Sequence, residues 1–413
     1  MSHLARAAES LEIVAQEPVL FEGKEIVDAD RPLERHELER LASMVRLGQV
    51  SPKCHVRESL RGPQIVERIR AMLARQSDVR QLHEKGGFAP YWEELERRID
   101  VPDTVGSLLA VIATARPGLF TQALLGGYVA AYLAWELSMP AGERVSVFLG
   151  GLLRDLGMLY VDPRLLDEPA DQHFDGETWI EVQTHVVLSA RILDIAGVST
   201  SVKNAVLCHH ERVDSTGYPQ ALWGKDVPVS GQLVGFADIV STMRIKRFFG
   251  SGRNMKDALT ILQLNMDSFD AKIGQAFTAM LHRAKLRSTA FLPHDRDTML
   301  KILKRRAGII RTSMLQLKEV SEDRRAKNRS PKNHILRGSV DRTLSNVMRS
   351  GHGDQDFVWW LGLVAAGKEA ADKHQLSEID LQQEELLWQL RRVRQELFKA
   401  VPSLNFKSQA YAI

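Results

Sequence analysis

The chain has 413 residues, 44% apolar and 26% charged, the ordinary mixture of a globular protein with room for roughly two to four domains. Lys and Arg total 55 against 52 Asp and Glu, a net charge of +3, which excludes a histone-like coat for nucleic acid and leaves only a local basic patch open. Two distant cysteines, Cys54 and Cys208, exclude a disulfide framework and point to a reducing, cytoplasmic setting.

Residues 1–100 read as an accessory region of mixed structure. Met1 to Glu12 contains Arg6, Glu9 and Glu12 and no apolar run, so no signal peptide is expected. Pro18 to Val27 predicts a short hairpin around Glu22-Gly23. Leu33 to Leu47 predicts a helix with Leu33, Leu38, Leu41 and Met44 on one side, and Ile65 to Leu73 continues the helical period. His83 to Pro90, with two glycines and a proline, reads as a linker.

Residues 105–285 carry apolar helical patterns and few strand signals, which predicts an all-α core. Leu119 to Trp135 is uncharged over 17 residues. Thr121, Gln122 and Gly126-Gly127 within it favour a buried helix over a membrane span. A helix over Val145 to Leu153 leads into Arg154-Asp155-Leu156-Gly157. Thr178 to Ile195 has Trp179, Val182, Val186, Ala190 and Leu193 at core spacing. A helix over Ser201 to His210 runs into the turn Asp214 to Pro219, and Val229 to Met243 is a further helix.

Residues 286–413 predict a helical tail. Between Lys301 and Arg342 stand thirteen basic and four acidic residues, a net of +9. This is either a surface for nucleic acid or another anion, or a solvated helix face with a mobile loop over Arg324 to Asn333. A helix with Trp359-Trp360 follows. Leu386, Leu390, Val393, Leu397 and Ala400 then alternate in steps of four and three, which makes either a homodimer seam or a face packed on the chain's own core.

Chemistry concentrates in the middle segment, at Asp155, His185, His209-His210 and Asp238. A single histidine on an apolar helix is ordinary core. An adjacent pair, with a third histidine and two aspartates in neighbouring helices, is a candidate metal centre. Imidazole and carboxylate together suit Fe, Mn, Zn or Ni. A carboxylate can also bridge two ions that clamp the oxygens of a phosphoester.

Arg154-Asp155-Leu156-Gly157, His185, His209-His210-Glu211-Arg212, Gly217-Tyr218-Pro219 and Ala237-Asp238 resemble the HD-GYP domain in order and spacing. Trp179, six residues before His185, and Pro228, ten before Asp238, extend the likeness, which runs from about Val105 to Ala284. This branch of the HD phosphohydrolases is helical, holds two or three metals and hydrolyses the bacterial second messenger cyclic di-GMP. The resemblance implies that Asp155 is the bridging carboxylate, catalytic if the domain is active. It implies His185, His209 and His210 as ligands of the second metal and Asp238 as a ligand of the first. Gly217, Tyr218 and Pro219 would form the substrate-binding turn.

The sequence departs from the family where the first metal would sit. Gln122 stands at the first-helix histidine and Arg154 at the histidine of the HD pair. Met158 replaces a phosphate-contacting lysine, Gln232 an arginine, Ser241 an aspartate and Ser215 a glycine. Amide oxygen is a poor ligand for Fe or Mn, and guanidinium has no lone pair to give. Arg154 is read either as a cation replacing the metal between Asp155 and Asp238, or as a side chain turned to solvent. Cys208 reads as a small core residue and Gly217 as the source of a positive φ in the turn.

These readings make the chain a cytoplasmic, degenerate HD-GYP-like signalling protein, non-catalytic or very weakly active. It is expected to act by binding a cyclic dinucleotide or a protein partner such as a diguanylate cyclase domain. The alternatives are an active metal-dependent cyclic di-GMP phosphodiesterase and a nucleic-acid-binding regulator working through the basic tail. One divalent ion (Fe, Mn or Zn) or none is the expected cofactor, and no membrane association is expected.

Overall fold

A computed structural model describes residues 11–57, 59–162, 176–248, 250–325 and 331–400. The chain divides into two compact units, one of residues 1–210 and 228–245, the other of residues 211–227 and 246–413. Helices dominate both, and the strands are short.

In the first unit, strands Val19–Phe21 and Lys24–Val27 pair antiparallel. Glu22 and Gly23 both take positive φ, 50° and 77°, the turn chemistry that matches strand twist in a two-residue hairpin. A second antiparallel pair, Ile13–Ala15 with Cys54–Val56, escapes the sequence reading because each partner is only three residues long and the two lie far apart. Helix Arg35–Arg46 buries Leu38, Leu41 and Met44. At its start the Glu37 carboxylate accepts from the Glu34 amide at 3.0 Å, which satisfies one of the unpaired backbone donors. Helix Gly62–Arg75 follows.

The segment over residues 83–90 is not a linker. It closes helix Ser77–Lys85 and opens helix Ala89–Glu96. Between them Phe88 is fully buried, with its ring 4.6 Å from that of Tyr132. The glycine and proline signals mark a tight, packed corner.

Helix Pro117–Glu136 is the axis of this unit. It is buried on nearly every side from Phe120 to Ala134, and it packs against helices Ala141–Leu153 and Val229–Thr242. No helix among the described residues is long and apolar enough to cross a membrane. Two glycine pairs let the first two of these helices close up. A Cβ on Gly151 would lie 2.8 Å from the Gly127 Cα and 3.0 Å from the Gly126 carbonyl oxygen, distances that only glycine tolerates. The sequence predicts one helix over 178–195. The structure has two, Gly176–Gln183 and His185–Ile195, with the break at Thr184 placing His185 at a helix start. The Trp179 side chain lies outside the described residues. Neither cysteine is in a disulfide, and Cys208 is buried.

The second unit contains helices Ala271–Arg283, Arg296–Arg325, Pro331–Ser350, Gln355–Ala365 and Lys373–Ala400. Leu386, Leu390, Val393 and Leu397 are buried among Ile310, Met314, Leu344 and Val347. This stripe therefore packs on the chain's own core and is not open as a homodimer seam. Residues 326–330 of the expected loop lie outside the described residues, and its ends belong to the flanking helices. Part of the basic segment is spent internally. Arg306 pairs with Asp380 at 2.7 Å, and Arg342 with Asp214 at 3.4 Å.

Candidate metal centre

Gln122, Arg154, Asp155, His185, His209, His210 and Asp238 all belong to the first unit, where they form one polar cluster in an apolar surround. Five helices supply it. Gln122 comes from Pro117–Glu136 and Asp238 from Val229–Thr242. Arg154 and Asp155 follow the end of Ala141–Leu153, and His185 opens His185–Ile195. His209 and His210 follow the end of helix Thr200–Leu207.

The imidazoles form one half. The ligand atoms of His185, His209 and His210 lie within 4.8 Å of one another. Nδ1 of His185 is 2.6 Å from the Val182 carbonyl, and Nδ1 of His209 is 2.6 Å from the Val206 carbonyl. A carbonyl oxygen only accepts, so both Nδ1 atoms carry a proton and Nε2 is the ring atom left to meet an ion. This is the arrangement that orients a metal-binding histidine. Burial, and then the neighbouring His185, pushes the His209 imidazole down to about 4, against the opposing pull of Asp155 and Asp238. His209 is therefore neutral near pH 7, the form that ligates.

Nε2 of His185 is buried with no hydrogen-bond partner among the described residues, and Oδ1 of Asp155 lies 3.6 Å away. A buried lone pair left unmet is costly, and a cation at this point would meet it. Three imidazoles and a carboxylate fit one Zn, Fe or Mn ion.

The other half is closed by the protein's own donors. Arg154 is 0% exposed, so it does not face solvent. Its Nε lies 3.1 Å from Oδ2 of Asp155 and 3.0 Å from Oδ1 of Asp238. Its Nη2 lies 2.9 Å from the same Asp238 oxygen and 3.4 Å from Oγ of Ser241, and Nη1 donates to the Gly151 carbonyl. Gln122 donates from Nε2 to Asp238 at 3.1 Å and to Thr242 Oγ1 at 2.6 Å. Burial alone would raise the Asp238 carboxyl. Arg154, then His209 and the Gln122 amide, outweigh it and hold the group below its usual value. These residues do not fit a second ion. An amide N–H and a guanidinium point at the carboxylate where a cation would need its lone pairs.

Gly217, Tyr218 and Pro219 belong to the second unit. The positive φ of their turn falls on Ser215, at 57°, and not on Gly217; the serine occupies the conformation that suits the family's glycine. The Tyr218–Pro219 bond is cis. Both oxygens of the buried Glu211 accept backbone amides beyond the turn, from Gln220 at 2.6 Å and Leu222 at 2.9 Å.

Sequence reasoning gave no role to Glu211, Thr242, Gly126 or Gly151. A carboxylate beside the histidine pair is a signal for the first. The glycines carry none until the backbone shows what stands over them.

The family described as HD domain matches residues 108–273. The 3′3′-cGAMP-specific phosphodiesterase 3 of Vibrio cholerae is 27% identical over 167 residues, covering 40% of this chain and 35% of that protein. A cyclic di-GMP phosphodiesterase of Pseudomonas aeruginosa is 30% identical over 146 residues, 35% of each chain. The matched stretch is thus about a third of the length of these curated relatives. Among solved structures, an HDG"Y"P protein of Bdellovibrio bacteriovorus aligns with a TM-score of 0.36 at 17% identity, covering 66% of this chain and 94% of that one. Residues 108–273 match the HD domain family, and the relatives named above are cyclic dinucleotide phosphodiesterases.

Proposed function

We propose that this chain is a signalling member of its family that binds a cyclic dinucleotide or a protein partner and hydrolyses the nucleotide very weakly or not at all. The observation that carries this reading is the state of Asp238. Its carboxylate is held by Arg154 and Gln122, so it is not open to an ion. An ion bound by Asp155, His185, His209 and His210 would supply charge to a phosphoryl oxygen and lower the pKa of a bound water.

The chain's own contribution to such chemistry is small. Arg154 spends its donors on Asp155, Asp238, Ser241 and Gly151, and Met158 offers no charge to a phosphate. Each missing contact to a developing anion costs about 2.7–4 kcal/mol, or 10²–10³-fold in rate. With two contacts gone, turnover falls toward background.

The test is product formation from cyclic di-GMP and from 3′3′-cGAMP, each with Mn²⁺ or Fe²⁺, beside equilibrium binding of the same nucleotides. Binding without turnover supports the reading. The intact imidazole half favours a second reading, a one-metal phosphodiesterase. Robust turnover that vanishes in His209→Ala would establish that reading and overturn the first.

A further inference from the structure

We propose that the Arg154 guanidinium is a built-in cation that permanently takes the place of one metal ion between Asp155 and Asp238, and that Gly126 is the residue that makes room for it. The proposal rests on the reading of the site given above and deepens it by naming what occupies the closed half.

A buried carboxylate, Asp155, and a half-buried one, Asp238, facing one point need a positive charge between them, or one must take up a proton. A divalent ion supplies that charge in a two-metal site. Here the charge is covalently attached. The guanidinium of Arg154 reaches both carboxylates, at 3.1 Å for Asp155 and 2.9 Å for Asp238, close enough for its positive charge to be shared between them. Its remaining N–H groups meet the Gly151 carbonyl and Ser241 Oγ.

The space is shaped for it. Gly126 lies one helical turn beyond Gln122, and a Cβ there would stand 3.0 Å from Cζ of Arg154 and closer still to Nη1. The guanidinium is the fixed end of a fully buried side chain, so it has nowhere to retreat. Gln122 completes the wall by donating to the same Asp238 oxygen. The charge, the cavity and the second donor agree, which a discarded ligand position turned to solvent would not show.

The experiment uses the full chain stripped with chelator, followed by metal analysis and thermal unfolding with and without added Mn²⁺. The wild-type protein is expected to stay folded when stripped and to retain at most one equivalent on reloading. Arg154→Ala should lower the melting temperature of the stripped protein by roughly 6–20 °C. Gly126→Ala should lower it too, while Gly118→Ala, an open helical position with nothing within 4 Å of the added Cβ, should not. The double variant Arg154→His with Gln122→His should take up a second equivalent and be stabilised more by Mn²⁺ than the wild type.

Two tightly held equivalents in the wild type, or an unchanged melting temperature in Arg154→Ala, would overturn the proposal. The wild-type metal count decides even if the alanine variant does not fold. None of these readouts involves a nucleotide. Failure of the functional reading would show separately, as turnover or as absence of nucleotide binding.

Discussion

The two halves of the polar cluster solve the same electrostatic problem in opposite ways. On the imidazole side, His185 and His209 have Nδ1 tied to backbone carbonyls, and burial keeps the His209 ring neutral near pH 7. On the carboxylate side, Asp155 and Asp238 already have their cation, delivered by the chain itself. The second half carries its own positive charge, and the first does not. A charged side chain placed between two carboxylates can thus hold them together without an ion between them.

The comparison breaks most visibly if the internal cation is removed. Without metal, Arg154→Ala should cost about 3–5 kcal/mol of unfolding free energy, because the buried Asp155 and the half-buried Asp238 lose their partner. Chemical denaturation of the stripped protein measures this. An effect below 1 kcal/mol would mean the two halves do not differ as described.

Acid separates the halves next. His209 is held near 4, while an unfolded histidine titrates near 6.5. As pH falls from about 6.5 to 4, the unfolded chain takes a proton that the folded protein refuses, and up to about 3 kcal/mol is lost. Asp238 is depressed in the folded state. Its contribution is therefore complete above its unfolded pKa of about 3.9, and goes only as pH falls through its lower folded value. Between pH 6.5 and 4 only the imidazole half should weaken. Urea midpoints of stripped protein at pH 7.5, 5.5 and 4.5 should decline steadily; a flat series would contradict a buried, neutral His209.

A smaller loss is expected from Gly126→Ala, about 1–3 kcal/mol, from overpacking against the guanidinium. The least is expected from Thr242→Val. It removes the 2.6 Å acceptor of the Gln122 amide and a long 3.4 Å donor to Asp238 but leaves the Gln122 bond to Asp238 in place, costing about 1 kcal/mol. Equal losses from these two variants would blur the ranking of charge over hydrogen bonding in this half.

Much of the helical core was legible because apolar spacing reports burial directly, as at Val186 and Leu193 in helix His185–Ile195. The hairpin was legible because Glu22-Gly23 is local turn chemistry. The strand pair Ile13–Ala15 with Cys54–Val56 was not, since pairing between distant three-residue segments leaves no periodic trace. The corner at Phe88 was misread because glycine and proline announce a change of direction and say nothing of packing. Type and spacing named seven side chains that the structure gathers into one cluster, Gln122, Arg154, Asp155, His185, His209, His210 and Asp238. The sequence left the direction of Arg154 open between two outcomes, because a side chain's heading depends on what stands over it. Here that is an absent Cβ on another helix.

The burial of helix Pro117–Glu136 on nearly all sides has a consequence for amide hydrogen exchange. Its central N–H groups cannot reach water by fraying or by opening a surface turn, so they exchange only when the first unit unfolds as a whole. Gln122 and Gly126 ride on this helix. The wall against which the guanidinium rests thus lies in the segment whose amides exchange last, slower than those of the exposed Lys24–Val27 hairpin arm, and proteases should find it late.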